Sequence, residues 1–486
     1  MWVGGLFHHC ESYVMSQVAI TLDTETYPNC FLLVALLCDT ETMLEFEISE
    51  YRDDSQALFS FLCWMRDNYG RAYGFNLLGF DGPLIQLFMR MHGKCTAETL
   101  YQKAQSIINA QDEDRFQHLV YPSERPFDWV CLYKIHHFDN KARSTSLKLL
   151  EVNMLMPSVK DLPFKVGMVL NRDQIATLRE YCRHDVKATE LFRLKSMEMV
   201  HFREELARKY PGKDWLNLND TAVGKSFFIM QLEAADIECY KFGPDGRTPK
   251  QTPRPTIALK DAILPWITFQ QPEFNRVLTW LKEQVITETR GVFTNLTAEI
   301  NGFTFVFGLG GIHGSVEREK VVSDDEWVIE SWDVTSYYPN LAIKNRFYPQ
   351  HLTEKFCDIY ADLFEQRKKY PKKSSESATL KLALNGTYGD SNNKFSVFYD
   401  PLFTMKITLN GQLLLCMLAE ALMEVPTVRI IMCNTDGLEY RVSREYQARA
   451  KEVCGRWERM TNLTLENVQY SRMWIRDVNN YIAESV

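Results

Sequence analysis

The stretch Ile430–Tyr440, IIMCNTDGLEY, contains two apolar runs separated by Asn434, Thr435, Asp436 and Gly437. Asn, Asp and Gly are typical of a tight turn between two antiparallel strands, so the stretch predicts a β-hairpin. The acidic turn has two interpretations: it only closes the hairpin, or it also carries a carboxylate of an active site. The rest of the chain has to distinguish them.

The composition is that of an ordinary soluble globular protein, with 45% hydrophobic and 24% charged residues. A length of 486 residues predicts about three domains. The net charge of −8 excludes a generally basic nucleic-acid coat, so nucleic acid would bind in local grooves. The 12 cysteines show no zinc-site spacing, which indicates reduced thiols in a cytosolic compartment. No uninterrupted apolar run reaches the roughly 18 residues that span a bilayer, so we expect no membrane segment.

The alternation of apolar and polar residues predicts a multidomain α/β protein. Residues 1–14 look like an extension or tail before Met15, and strand-like runs such as FLLVALLC alternate with helical patterns up to residue 205. The proline-rich KFGPDGRTPKQTPRP indicates a linker or connecting region within 206–300. Strands near 302–307 and 327–333, helices across 352–390 and 408–423, and the hairpin follow.

Acidic residues mark three segments of the first region. Asp23 and Glu25, in LDTET, lie two residues apart on a strand and therefore share one face. Two such carboxylates either hold a cation or lie at a solvated strand edge. Asp81 follows a strand in NLLGFDGPLI, and Tyr181 and Asp185 lie one helical turn apart in YCRHD. For the last pair taken alone, an amphipathic helix face is the better explanation.

The order DxE, NxxxFD, YxxxD resembles the proofreading 3′–5′ exonuclease domain of family B DNA polymerases, a ribonuclease H-like fold. The resemblance implies that residues 15–205 form this domain and that four carboxylates hold two divalent cations, Mg²⁺ or Mn²⁺: Asp23, Glu25, Asp81 and Asp185. It also implies that Tyr181 orients the attacking water. Thr26, Asn76 and Phe80 would grip a single-stranded 3′ end, although Phe80 also suits a hydrophobic core.

A further carboxylate, Asp333, ends an apolar strand in SWDVTSYYPNLAIK. This segment resembles the DxxSLYP motif of the family B polymerase palm. The resemblance implies that Asp333 and Asp436 hold two Mg²⁺ ions. The turn at Ser336 and Tyr337 would embrace the triphosphate, and Tyr338 would lie against the sugar and exclude a 2′-hydroxyl. The plain alternative is a strand followed by an aromatic turn.

The segment LKLALNGTYGDSNN places Lys381, Asn385 and Tyr388 on one helix face. It resembles the family's KxxxNSxYG motif, which implies that these three residues contact the incoming nucleotide and that Gly389 contacts DNA. Upstream, FEQRKKYPKK predicts a basic helix and turn. The resemblance implies that its Arg367 contacts the triphosphate, whereas a solvated basic face explains its other cations.

The resemblance also divides the second region. It implies a palm formed by residues 301–350 and 389–486, with short two-helix fingers at 351–388. The short interval between the motifs leaves no room for the insertions of protein-primed phage polymerases, which counts against protein priming.

Two weaker matches flank the palm. FGLGGIHGSV resembles the YxGG segment, which implies that Gly310 and Gly311 contact the template strand, although a glycine pair also suits a turn. VNNYIAESV resembles the KxY motif, so Tyr481 is expected at the primer terminus, with Asn479 in place of lysine. Family members continue into a thumb, so we expect a thumb that is absent or truncated. A second polypeptide could supply it, the coding sequence could be split, or basic residues of this chain could substitute.

Taken in chain order, these motifs identify the chain as a compact, phage-type family B DNA polymerase with a 3′–5′ exonuclease. Its expected partners are primer–template DNA and deoxynucleoside triphosphates, in the cytoplasm of a host cell. The alternatives are an exonuclease with an impaired polymerase half, a polymerase fragment that needs a second chain, and a non-catalytic DNA-binding subunit. The hairpin turn then carries chemistry: Asp436 is the metal ligand, whereas Asn434 and Gly437 replace the aspartate and serine of the usual YxDTDS.

Overall fold

The computed structural model of the chain describes residues 18–114, 116–244 and 246–486. The predicted extension or tail at residues 1–14 lies outside these ranges, as does Met15. The chain divides into two compact units, the first ending at Asp220 and the second beginning at Thr221. The predicted class, a multidomain protein with mixed α/β structure, is confirmed. The helix that contains residue 205 continues to Lys209.

The first unit has one mixed sheet flanked by helices. Its strands are β1 (Ala19–Tyr27), β2 (Cys30–Leu37), β3 (Thr42–Ser49), β4 (Arg71–Gly74) and β5 (Asp128–Cys131). Its helices are α1 (Ser55–Asp67), α2 (Asp81–Arg90), α3 (Ala97–Glu113), α4 (Leu132–Ile135), α5 (Leu147–Asn153) and α6 (Arg172–Lys209). The strand order is β3-β2-β1-β4-β5; β1 pairs antiparallel with β2 and parallel with β4.

Burial on both faces of the sheet explains its apolar strands. In β2, Phe31 and Leu33 pack into the core with α1, α2 and α3, whereas Leu32 packs on the opposite face with residues of α6 such as Leu178. A strand covered on both faces reads as a continuous apolar run instead of an alternating one. The same alternation in β1 sends Ile20 to the first face and leaves its odd-numbered residues facing α6.

The second unit is built on a nine-stranded antiparallel sheet. Its strands are β6 (Tyr240–Gly243), β7 (Gly246–Pro249), β8 (Ile257–Ala258), β9 (Val285–Ile286), β10 (Thr297–Ile300), β11 (Phe303–Gly308), β12 (Gly311–Ser315), β13 (Glu319–Val322), β14 (Trp327–Val334), β15 (Arg429–Asn434), β16 (Gly437–Ser443), β17 (Leu465–Asp477) and β18 (Asn480–Ser485). The large sheet has the order β10-β11-β12-β15-β16-β14-β17-β13, with β18 on β17. The hairpin predicted at 430–440 is confirmed as β15 and β16.

Helices complete the second unit: α7 (Asp220–Ala234, which begins at the division between the units), α8 (Pro272–Glu283), α9 (Tyr337–Asn345), α10 (Lys355–Lys368), α11 (Ser375–Gly389), α12 (Pro401–Met423) and α13 (Gln447–Thr461). The two helices predicted across 352–390 are α10 and α11. Within the described part of the chain, α12 is long and apolar enough to cross a membrane, but 83% of its most apolar stretch is buried inside the protein. Such burial is typical of a core helix.

Candidate functional site

The first candidate site lies where β1 faces α6. Asp23 and Glu25 are on the face of β1 that α6 covers, and Asp185 of α6 lies opposite them. One carboxylate oxygen from each of the three residues lies within 4.8 Å of the others. Strand alternation and packing of α6 therefore bring together three of the four acidic residues predicted for the exonuclease site.

Asp81, the fourth predicted carboxylate, is held from the other face of β1. It begins α2, where its Oδ1 accepts hydrogen bonds from the backbone N–H of Thr24 at 3.1 Å and from the Thr24 hydroxyl at 2.6 Å. Its side chain is buried, yet its charge still acts on Asp23 and Glu25. Thr24 thus fixes Asp81 beside the cluster, a role that the sequence pattern did not predict.

The electrostatics of this cluster favour a bound cation. Burial raises the pKa values of Asp23 and Glu25 well above their ordinary range, and repulsion between the carboxylates raises them further. Burial likewise raises the pKa values of Asp81 and Asp185 to about 6. Hydrogen bonds from Thr24 to Asp81 and from Tyr181 to Asp185 offset part of this rise. Asp185 Oδ1 is buried without a hydrogen-bond partner among the described residues. The donor set, all hard oxygens, fits Mg²⁺ or Mn²⁺.

The residues predicted to grip single-stranded DNA differ in their surroundings. Asn76 lines a cavity of about 340 Å³ whose walls also include Tyr133, Lys134 and Lys141. Thr26 is half-buried in β1, two residues beyond Thr24. Phe80 is partly buried and packs against the core of the first unit, so the core interpretation of this residue has direct support.

The second candidate site lies at one edge of the large sheet. Asp333, near the end of β14, pairs with Gly437, so it lies beside the turn that contains Asp436. The Val334 N–H donates to the Asp436 carbonyl at 2.8 Å and ties the hairpin turn to β14. Partial desolvation raises the pKa of Asp333, and repulsion by the Asp436 and Glu466 carboxylates raises it further. The antiparallel register therefore brings the two predicted palm carboxylates together.

The turn leaves no room for a side chain at Gly437. A Cβ there would lie 1.9 Å from Asp333 Oδ1 and 3.1 Å from the Trp332 carbonyl. Thr435, one of the two turn residues, has a left-handed backbone with φ of 55°. The serine-to-glycine departure noted in the sequence thus coincides with the position that the Asp333 carboxylate occupies.

Aromatic residues form one wall beside these carboxylates. The Tyr338 hydroxyl donates to the Gly310 carbonyl at 2.6 Å, and the Tyr338 ring lies 4.4 Å from that of Tyr388. The Tyr388 hydroxyl reaches the Leu309 carbonyl at 3.1 Å. A Cβ on Gly311, whose φ is 139°, would meet the Tyr338 hydroxyl at 2.9 Å. Four residues predicted from three separate motifs therefore lie together: Tyr338, Tyr388, Gly310 and Gly311.

Tyr337 and Ser336 position this wall. Ser336 has a left-handed backbone with φ of 44° and precedes α9. Tyr337 is buried, and its hydroxyl donates to the Gly411 carbonyl of α12 at 2.5 Å. Tyr337 therefore anchors the turn after Asp333 to the core helix.

Other residues predicted to contact the nucleotide or DNA lie on helices α10 and α11. Lys381 and Asn385 are exposed on α11, Gly389 ends that helix, and Arg367 is in the last turn of α10. In residues 246–486 no hydrogen bond or ion pair links Lys381, Asn385 or Arg367 to Asp333 or Asp436. The predicted nucleotide contacts of these three residues stay predictions.

Tyr481 lies in a basic and aromatic groove on β17 and β18. The groove has a volume of about 680 Å³, and its lining includes Arg318, Lys320, Trp474 and Arg476. Tyr481 also interacts electrostatically with Asp333 and Asp436. The groove has the local basic and aromatic character expected of a nucleic-acid surface on an acidic protein.

Sequence analysis missed two carboxylates beside Asp333. Glu466 pairs with Asp333 across β14 and β17, and Glu439 pairs with Ser331 across β14 and β16. Glu439 is only 6% exposed, its Oε2 has no hydrogen-bond partner in the described chain, and burial together with Asp333 raises its pKa to about 8. No local signal reveals Glu466, which comes from a distant strand. Glu439 could have been found by applying strand alternation from Gly437.

Comparison with solved structures finds distant likenesses, one of which is described here. The structure of the family B DNA polymerase from the hyperthermophilic archaeon Pyrobaculum calidifontis superposes with a TM-score of 0.48 at 13% sequence identity. The match covers 96% of this chain and 58% of that polymerase. No protein family and no curated protein matches the sequence. A likeness at this level assigns no function, which has to be argued from the two clusters.

Proposed function

We propose that the chain is a template-directed DNA polymerase of the family B type with a 3′–5′ proofreading exonuclease, and that it replicates a phage genome in the host cytoplasm. The observation that carries this proposal is the presence of two carboxylate clusters in one chain, one in each unit. Asp333 and Asp436 lie beside an aromatic wall in the second unit, and Asp23, Glu25, Asp81 and Asp185 converge in the first.

In the polymerase half, the residues of the chain would position the primer terminus and the incoming nucleotide. Asp333 and Asp436 would hold two Mg²⁺ ions. Tyr338 is fixed by Gly310 and packed on Tyr388, so its ring would present a rigid surface to the sugar. Such a surface would exclude a 2′-hydroxyl by steric contact. The groove that contains Tyr481 would bind the primer strand through basic and aromatic side chains.

In the exonuclease half, the four carboxylates of the first unit would hold the metal ions. Tyr181 lies in the same cluster, and burial and the neighbouring carboxylates raise its pKa, so the phenol stays protonated and can orient a water molecule. The cavity lined by Asn76 and Lys134 would hold the single-stranded 3′ end. Bound divalent ions would supply activation of the attacking oxygen and stabilisation of the leaving oxygen at both sites.

A second candidate function is a 3′–5′ exonuclease whose polymerase half is impaired. Asn434 favours it, because this residue occupies the position of a usual acidic residue of the resembled motif and carries no charge. Primer extension and single-strand degradation distinguish the two functions.

The test uses a labelled primer–template and a labelled single strand, each with Mg²⁺, and three proteins: wild type, Asp333→Ala and Asp23→Ala. The proposal predicts that wild type extends and degrades, that Asp333→Ala only degrades, and that Asp23→Ala only extends. Degradation without extension by the wild type would favour the exonuclease alternative. Binding of DNA without either reaction would indicate a non-catalytic subunit.

A further inference from the structure

A second group of potential metal ligands lies on the other side of Asp185. Glu151, on α5, and His184, next to Asp185 on α6, bring one ligand atom each to within 4.8 Å of one another and of an Asp185 oxygen. His184 Nε2 and Glu151 Oε2 form a buried hydrogen bond of 2.9 Å, and a metal ion held by both atoms would replace the proton that they share. Two ligands bonded at about 2.1 Å to one ion at right angles lie about 3 Å apart, so this spacing suits adjacent ligands of a metal.

The burial of the group leaves unmet hydrogen-bonding capacity. Glu151 is fully buried, and His184 and Asp185 are each 9% exposed. Glu151 Oε1 and Asp185 Oδ1 are both buried without a hydrogen-bond partner in the parts of the chain that the structure describes. Buried acceptor oxygens without partners are rare and call for a proton or a cation. Lys148 does not fill this role, because its ammonium group is paired with Asp161 at 2.5 Å.

We propose that Glu151, His184 and Asp185 bind one divalent first-row transition-metal ion at a site distinct from the Asp23 and Glu25 cluster. The imidazole ligand favours Mn²⁺, Zn²⁺ or a similar ion over Mg²⁺, which prefers oxygen ligands alone. Asp185 is the residue common to both sites. This inference concerns binding only, so it holds whether or not the chain degrades DNA.

The test measures Mn²⁺ bound to the EDTA-stripped, full-length chain by pulsed electron paramagnetic resonance. The expected result is a ¹⁴N hyperfine coupling from a histidine ligand in the wild type. The coupling should be lost in His184→Gln, and Mn²⁺ affinity at this site should fall at least 10-fold in Glu151→Gln. The ¹⁴N coupling should persist in Asp23→Asn, which disables the neighbouring cluster, and in His136→Gln, which removes another histidine of the same unit.

Mn²⁺ bound to the wild type without nitrogen coupling would overturn the proposal, as would coupling that survives in His184→Gln. If His184→Gln does not fold, wild-type protein labelled with ¹⁵N-histidine decides: the coupling must change to that of ¹⁵N. Anomalous scattering from Mn²⁺ in wild-type crystals is the second readout. A peak bonded to His184 Nε2 is expected, and density only among Asp23, Glu25 and Asp185 would contradict the assignment. Loss of DNA degradation in Asp23→Asn with the coupling intact separates this site from the proposed nuclease.

Discussion

Substitution of Gly437 by alanine should displace the Asp333 carboxylate with little effect on the stability of the fold. The new Cβ would lie 1.9 Å from Asp333 Oδ1, whereas ordinary contact begins at 3.4 Å, so the carboxylate has to move by about 1.5 Å. Asp333 is exposed and can rotate towards solvent at low cost. The displacement should therefore act mainly on catalysis.

The expected loss of primer extension is about 100-fold, because a misplacement of about 1 Å in a reacting geometry costs roughly that factor. The unfolding free energy should fall by only about 1 kcal/mol, since the closest backbone atom, the Trp332 carbonyl, lies 3.1 Å from the new Cβ. Gly437→Ser should behave in the same way, although it restores the residue usual in the resembled family.

The assay is single-nucleotide incorporation under single-turnover conditions, with urea denaturation of the same samples. Gly455→Ala is the matched control: this helical glycine of α13 has its nearest contact at 3.6 Å, so extension should stay within twofold of wild type. Unimpaired extension by Gly437→Ala would refute the reasoning about Asp333. So would an equal loss in the Gly455 variant.

Three further predictions concern the hairpin turn, Glu439 and Arg203. Asp436→Asn should abolish extension while Asn434→Asp is tolerated, as measured by nucleotide incorporation; equal damage from both would contradict the division of roles in the hairpin turn. Glu439 has a pKa of about 8 in the folded state against an ordinary 4.5, so between these pH values the folded protein binds more protons than the unfolded chain. The free energy of unfolding, measured in EDTA, should therefore fall as the pH rises from 5 to 8. Thermal denaturation should show that Glu439→Gln loses this dependence, and an unchanged pH profile would disprove it. Arg203 is fully buried and donates to the Leu218 carbonyl, whereas its ionic partner Asp220 is about half exposed. Arg203→Met should therefore lower the urea-measured stability by about 2 kcal/mol, mainly by leaving that carbonyl without its hydrogen bond, and exposed Arg208→Ala should change it by almost nothing. Similar losses in both variants would count against this prediction.

The parts of the fold that could be predicted from the sequence are those with strong local signals. The hairpin at 430–440, the apolar strand before Asp333 and the two helices across 352–390 follow from periodicity and turn residues. The two-sided burial of β2 was also encoded in its continuous apolar run. Local patterns suffice for these elements because turn residues and hydrophobic periodicity can be recognised within a short segment.

Contacts between distant segments could not be predicted in this way. Glu466 and Asp333 become neighbours only through the register of β14 and β17, which no local pattern specifies. The grip of Thr24 on Asp81 and the approach of Glu151 to His184 depend on how helices pack on β1 and α6. For Phe80 the sequence left DNA contact and core packing open, and the structure packs its ring against the core.

The most direct test of the central claim is the identity of the nucleotide added to a primer opposite each of the four template bases. The measurement uses an Asp23→Asn background, which should suppress degradation, with Asp333→Asn added as the inactive reference. The proposed function predicts that the complementary nucleotide is added opposite each base and that the reference adds none. Addition that ignores the template base, or no addition by any protein that retains Asp333 and Asp436, would contradict it.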